Sequence, residues 1–304
     1  MYTFQRFIYY DYLSCIIYLW WQILVLVEYI DKSYGELIDF AKSNHGAYCN
    51  AAPFPSISFP NFFNEDKLQE ILDEFPDLSK GDQLRYKNPN EDKLASKGEH
   101  TFGPKLRQFM HFLNSQTFLE FLQELTNVEE PLIPDPYFEG GGCHESKAGG
   151  FLKVHADFNK NRKTMLDRRL NVLVYMNKDW KDEYGGHFEL WNKDMTECVT
   201  QVRPDFNTMA IFSTTDYSYH GLPDPITCPP DRSRRSLALY YYSNGRPSSE
   251  LSTRGADLHT KFVDRKGNKT EAKMKRFNTF VNVVTDITPP ILLRTAKKLV
   301  TKSH

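Results

Sequence analysis

The stretch GGFLKVHADF, residues 149–158, decides the fold. A glycine pair opens a short run rich in aromatic and branched residues, which is the signature of a strand rather than a helix. Residues two apart on a strand project from the same face, so His155 and Asp157 can reach one point in space. An imidazole and a carboxylate there supply two of the three groups of a 2-His-1-carboxylate face, which leaves coordination positions open on a divalent iron. His-x-Asp alone is a weak motif, and its weight comes from what surrounds it.

Similar runs follow at short intervals: RLNVLVYM (169–176), GHFELW (186–191), TMAIFS (208–213) and RSLALYYYS (235–243), separated by Gly, Pro and Asn-Lys-Asp turns. That texture predicts a mainly β domain, a barrel or double sheet. His220, in STTDYSYHGLPDP, sits between the third and fourth of these runs, where a sheet closing on itself can bring it opposite His155 and Asp157. A buried cation is the natural anchor for a dicarboxylate cosubstrate, and Arg232, Arg234 and Arg235 compete for that role. Arg235 opens the apolar run and is the expected anchor, with Arg232 and Arg234 read as loop charges. Tyr175 is a candidate second contact or a plain core tyrosine; Asn171 and Leu173 share its face by strand alternation.

Upstream the pattern is helical. Asn64 caps a segment with Leu68, Ile71, Leu72 and Phe75 at helical spacing; Pro104 opens a second and Ser115 caps a third. Between them Lys80 to Glu99 is polar and reads as a loop. Ala51 to Phe63 reads as an extended lead-in.

The chain has 304 residues, 40% hydrophobic and 25% charged, enough for a full core. A formal net charge of -1 argues against a general nucleic-acid binder. The scattered, odd number of cysteines indicates neither a disulfide framework nor a cysteine zinc site. From Tyr12 to Ile30 the sequence YLSCIIYLWWQILVLVEYI is almost long enough to span a bilayer but carries Gln22 and Glu28, so a membrane anchor, a buried helix and a simple extension stay open. A cytoplasmic location is the default, and a membrane-anchored one follows if that segment spans. His187 and Glu189 form a decoy metal pair with no third ligand of matching context, and the adjacent His144 and Glu145 would point apart.

Taken together, GGFLKVHADFN, LNVLVYMNKDWKDEYGGHFELW, IFSTTDYSYHG and RRSLALYYYS resemble the prolyl 4-hydroxylase-like branch of the Fe(II)/2-oxoglutarate-dependent dioxygenases. The YMNKDW and GG segments look like those of the hypoxia-factor prolyl hydroxylases. The resemblance runs from about Pro53 to Pro247 and implies a double-stranded β-helix (jelly roll) core flanked by helices. It implies His155, Asp157 and His220 as iron ligands, and Arg235 with Tyr175 at the far carboxylate of 2-oxoglutarate; Asn171, on the face of Tyr175, is a further cofactor-binding candidate. It also implies O2 as cosubstrate, ascorbate as an auxiliary, and a prolyl residue in a protein or peptide as substrate, with a small amino acid or metabolite as the alternative. The loop PDPITCPPDRSR between His220 and Arg235 departs from the pattern and bears on the choice of arginine. A non-catalytic binding module and a cupin-like metalloenzyme without 2-oxoglutarate are the competing classes. The expected organisation is an apolar N-terminal segment (1–45), the dioxygenase domain (46–247) and a basic C-terminal extension (248–304).

Overall fold

The computed structural model describes residues 29–250 and 258–266. Apart from its last two residues, the apolar segment Tyr12 to Ile30 lies outside them, as does the basic reach beyond Lys266. Among the described residues no helix is long and apolar enough to cross a membrane.

In chain order the helix α1 (Leu37–Cys49) precedes the strand β1 (Ser56–Pro60), and α2 (Glu65–Asp73) precedes the hairpin β2 (Leu84–Asn88) and β3 (Glu91–Ala95). Two helices, α3 (Pro104–Leu113) and α4 (Gln116–Thr126), lead into β4 (Gly142–Lys147), β5 (Phe151–Ala156), β6 (Asp167–Tyr175) and β7 (Phe188–Trp191). Then come β8 (Cys198–Val202), β9 (Thr208–Ser213), β10 (Tyr219–Leu222), β11 (Ser233–Ser243) and a last short β12 (Lys261–Phe262).

The strands form antiparallel ladders in the order β1-β9-β6-β11-β4-β3-β5-β10-β7-β8. The order splits into two layers, β1-β9-β6-β11-β4 and β5-β10-β7-β8, joined through β3: the sheet is folded over on itself as a double-stranded β-helix. Phe188 of the second layer meets Phe212 of the first at 5.1 Å between ring centroids, so the two layers face each other across an apolar interior.

Strand alternation gives the first layer two different faces. Leu170, Val172 and Val174 of β6 and Leu237, Leu239 and Tyr241 of β11 point outward into the main core, where Leu106, Phe109, Phe118, Phe121 and Leu122 of α3 and α4 cover them. The Tyr241 hydroxyl donates to the carbonyl of Leu113 at 2.7 Å, so its polar end is satisfied where the ring is buried. The opposite face carries Asn171 and Leu173 of β6 and Ser236 and Tyr240 of β11, and it lines a cavity.

The helices start where capping chemistry puts them. Asn64 Oδ1 accepts from the Lys67 amide at 3.0 Å, and Pro104 occupies the first turn of α3, where its missing N–H costs nothing. Ser115 stands at the N-cap of α4 without a side-chain capping bond. The five predicted strand runs fall on β5, β6, β7, β9 and β11. The expectation of a loop over Lys80 to Glu99 is corrected: β2 and β3 form a paired hairpin there, with Leu84 opposite Ala95 and Asn88 opposite Glu91. Its residues are polar because much of the hairpin faces water or the cavity rather than the core, so the hydrophobic signal of a strand is missing.

Phe62 is fully buried at the centre of an aromatic cluster, within 4.9 to 6.1 Å of the rings of Tyr34, Phe40, Phe59, Phe63 and Phe121. Phe62→Ala is expected to cost about 3–5 kcal/mol of stability, from lost burial plus the cavity it leaves. The shift of the urea unfolding midpoint at constant slope measures it.

Candidate metal centre

The site begins with strand pairing. His220 of β10 lies directly opposite His155 of β5, and a bulge follows before Leu222 pairs with Leu152. Gly221 sits in that bulge, where an added Cβ would stand 2.7 Å from the Leu152 carbonyl oxygen. Only glycine lets β10 come this close, and the close approach turns the two imidazoles toward each other, 4.4 Å between ring centroids.

Asp157 lies just past the end of β5 and completes the group: its Oδ1 is 3.6 Å from His155 Nε2 and its Oδ2 is 3.5 Å from His220 Nε2. Metal bonds of about 2.0–2.2 Å limit two ligand atoms on one ion to roughly 4.4 Å apart, and His155 Nε2 and Asp157 Oδ1 fall inside that limit, while one ligand atom from each of the three residues lies within 4.8 Å of the others. All three side chains are buried, and they form the sole cluster of this kind among the described residues.

Each histidine is set in the right tautomer by its own backbone. His155 Nδ1 lies 2.8 Å from the carbonyl of Lys153, and His220 Nδ1 lies 2.8 Å from the carbonyl of Ser218. A carbonyl only accepts, so each Nδ1 must carry the proton and each Nε2 presents its lone pair to the ion. Burial, and then the neighbouring His155, push the His220 pKa down to about 3, so this imidazole is neutral at physiological pH.

The carboxylate is fixed by two residues. Arg168 Nη2 donates to Asp157 Oδ2 at 2.9 Å and Asn171 Nδ2 donates to the same oxygen at 2.7 Å, which leaves Oδ1 for an ion. Arg168 in turn is held by Asn171 Oδ1, at 2.9 Å from Nε and 2.7 Å from Nη2, and its guanidinium lies against the Phe158 and Tyr240 rings. Burial alone would raise the Asp157 pKa; the Arg168 guanidinium, with the two imidazoles, outweighs it and holds the carboxyl well below the usual carboxylate range. Asn171, expected at the cosubstrate, thus spends its amide on Asp157 and Arg168, although it does line the cavity.

The cavity containing these groups has a volume of about 210 Å³. Arg234, not Arg235, reaches it from β11. Counting from the core-facing Leu237 and Leu239, Arg235 falls on the helix side of the sheet, where its guanidinium lies 5.2 Å from the Phe75 ring and its Nε 3.4 Å from Glu145 Oε1. Arg234 falls on the inner face with Ser236 and Tyr240, and it is buried at 6% exposure. Its Nε donates to the Gly186 carbonyl at 2.6 Å. Gly186 has φ +69°, and a Cβ there would stand 3.0 Å from Arg234 Cδ, so the second glycine of the GG pair makes room for this arginine. No carboxylate pairs with Arg234 among the described residues. Tyr175 does not line the cavity; it lies behind, with its ring 5.0 Å from the Arg234 guanidinium carbon. Its buried hydroxyl has no hydrogen-bond partner of good geometry, and burial pushes its pKa up to about 12. A buried guanidinium without a counter-ion is costly, and an anionic ligand is what such a site fits.

Several lining residues escaped the sequence reading. His144 and Ser146 of β4 face Ser236 and Arg234 across the ladder and line the cavity, while Glu145 points the other way and accepts from Ser233 at 2.6 Å. Arg168 escaped because an arginine inside a β run looks like surface charge and because strict alternation puts it on the Leu170 side; the register shift between Leu170 and Arg168, opposite Tyr241 and Tyr242, turns it to the cavity instead. His187 and Glu189 bind no common point: His187 Nε2 meets Asp182 at 3.0 Å, and Glu189 accepts from Trp191 and Gln201.

Three side chains that could hold a metal ion thus stand inside a double-stranded β-helix, on the wall of a cavity that also carries a buried cation. Residues 141–242 match the family model described as 2OG-Fe(II) oxygenase superfamily. That match implies ferrous iron and 2-oxoglutarate as metal and cosubstrate, and the residues present fit both. No curated protein matches the chain. Among solved structures, a prolyl 4-hydroxylase of Phytophthora capsici aligns at 17% identity over 81% of this chain and 76% of its own, with a TM-score of 0.50. A Pseudomonas putida prolyl-4-hydroxylase aligns at 16% identity over 67% of this chain and 100% of its own, with a TM-score of 0.49. A Trichoplax adhaerens prolyl hydroxylase, solved with a hypoxia-inducible-factor peptide, aligns at 16% over 68% and 90%, also at 0.49. The likeness to the Phytophthora capsici structure concerns the fold alone.

His155→Ala, Asp157→Ala and His220→Ala are each expected to abolish tight Mn(II) binding in a calorimetric titration. Arg168→Ala, which leaves the three ligands but frees the Asp157 carboxylate, is expected to weaken it roughly 10- to 100-fold.

Proposed function

We propose that this chain is an Fe(II)- and 2-oxoglutarate-dependent dioxygenase that hydroxylates a C–H bond of a prolyl residue in a protein or peptide, with succinate and CO2 as coproducts. The observation that carries the reading is Arg234: a buried cation with no described carboxylate partner, on the wall of the same cavity as the His155, Asp157 and His220 cluster. Ferrous iron, when bound, supplies the oxygen chemistry that no side chain can. The protein would hold it through the Nε2 atoms of His155 and His220 and one Asp157 carboxylate oxygen. Arg234 grips the far carboxylate of the cosubstrate, with Ser236 beside it on the same face. Leu173, Phe188, Phe212 and Leu222 line the cavity with apolar surface and limit the water that reaches the reacting groups.

The prolyl assignment is supported by the sequence resemblance, chiefly the YMNKDW and GG segments, and ascorbate enters only through that resemblance. A free amino acid is the second reading, because the wall contributed by the β2–β3 hairpin carries a matched charge pair, with Lys93 Nζ 3.4 Å from Glu91 Oε2, where an ammonium and a carboxylate would find opposite partners. In either case residues 46–247 carry the catalytic groups.

The two arginines separate this reading from its competitors. Arg234→Ala should raise the 2-oxoglutarate KM or lower kcat/KM by roughly 10²- to 10³-fold, the loss of a buried charge-assisted pair of ~3–5 kcal/mol. Arg235→Ala should change it less than about 3-fold, as expected of a half-exposed ion pair. Succinate release at varied 2-oxoglutarate reads both. The opposite order would return the anchor to Arg235, and no dependence on 2-oxoglutarate at all would remove the dioxygenase assignment.

A further inference from the structure

The second edge of β5 is shared end to end by two partners. The hairpin strand β3 covers Phe151 and Leu152, and β12 covers His155 and Ala156, with Phe262 opposite His155 and Lys261 opposite Ala156. Paired residues on neighbouring strands share a face, so Phe262 is directed into the cavity with His155. The Phe262 ring stands 5.6 Å from the His155 ring, and Thr260 lines the cavity beside it. A segment distant in sequence from the jelly roll thus supplies part of the wall around the metal.

The segment is pinned on both sides of the opening. At one end Arg162, in the loop after Asp157, donates to the Leu258 carbonyl at 3.4 Å and lies 2.9 Å from His259 Nδ1. At the other end Arg265 bonds Asp224 at 2.9 Å and lies over the Trp191 ring, and the Lys266 amide donates to the Met195 carbonyl. Between these pins the ladder is two residues long, extended by the Val263 amide donating to the Val154 carbonyl at 2.9 Å. Little apolar surface is buried by it: Lys261 is exposed and Phe262 only partly buried. Contacts of this kind, few and mostly polar, open at low free-energy cost compared with a core strand.

We propose that residues 258–266 form a strap that gates the metal cavity, with Phe262 as the specificity-determining residue at its centre. Docked, the strap occupies the β5 edge at His155, so an extended peptide cannot add there as a strand. What reaches the metal is then limited to a group the size of one side chain or a small metabolite. That limit agrees with a cavity of about 210 Å³, below the roughly 300–1,000 Å³ of pockets for drug-sized ligands. Undocked, the same edge is open for exchange of substrate and product. The proposal rests on the dioxygenase reading for the identity of what is sealed, but the sealing itself is measurable without turnover.

The full-length protein is loaded with Co(II), and the rate at which excess EDTA strips the metal is followed by the cobalt absorption. Arg265→Ala and Phe262→Ala are expected to release Co(II) at least about 5-fold faster than the parent at unchanged equilibrium affinity, and Arg265→Lys, which keeps the charge facing Asp224, is expected to fall between. Hydrogen exchange of peptides covering 258–266 should rise in Arg265→Ala. Equal stripping rates overturn the gate, whether or not exchange rises, because the strap then covers the edge without sealing the cavity. A parent protein that takes up no Co(II) at His155, Asp157 and His220 overturns the metal-site reading itself, a result the initial titration registers separately.

Discussion

The arrangement of this molecule turns on a buried carboxylate that must stay charged. Asp157 sits in an apolar fold where an isolated carboxylate would take up a proton, and Arg168 prevents this by a direct ion pair that Asn171 completes from both sides. Arg168 has to be buried as well, and the rings of Phe158 and Tyr240 accept its guanidinium as a cation over two π faces. Thus one candidate metal ligand commits four further residues from the loop after β5, from β6 and from β11. The two strands carrying most of them, β6 and β11, are also the ones whose opposite faces hold the helices. The metal geometry and the main core are two sides of the same pair of strands.

How much of this was legible in the sequence follows from which physical signal each residue leaves. His155 and Asp157 are close in sequence on a strand with clear composition, and His220 lies in a turn-rich interval before another clear strand, so all three could be picked out. The resemblance of ordered motifs supplied the architecture. Arg234 and Arg235 differ by one position, and one position on a strand is the whole difference between the cavity and the helix side. Register had to be counted from Leu237, Leu239 and Tyr241, which enter the core, back to Arg235, which shares their face at the sheet margin beside Phe75. Reading Arg235 as the start of the apolar run identified the strand and missed its phase. The β2–β3 hairpin left no signal because Tyr86, Glu91 and Lys93 face a polar cavity, so the alternation that marks a strand by hydrophobicity is absent. The strap was invisible for a related reason: its place is fixed by partners on β5, β7 and the loops around them, and none of those lies near it in sequence.

Charge accounting within the cavity links the metal to the cosubstrate. Arg168 balances Asp157, Lys93 faces Glu91, and burial keeps His220 neutral. Arg234 is then the one cationic lining group without an opposite partner among the described residues. A ferrous ion alone would add two positive charges to a site already positive, and a dicarboxylate alone would reach Arg234 but find nothing to chelate at its other end. The two together add no net charge, and each offsets the desolvation of the other. The separation of Arg234 on β11 from His155, Asp157 and His220 suits such a pair: Arg234 on one layer would hold one end of a linear dianion and a metal ion at the three side chains would hold the other, in an interior of low polarity where both contacts count.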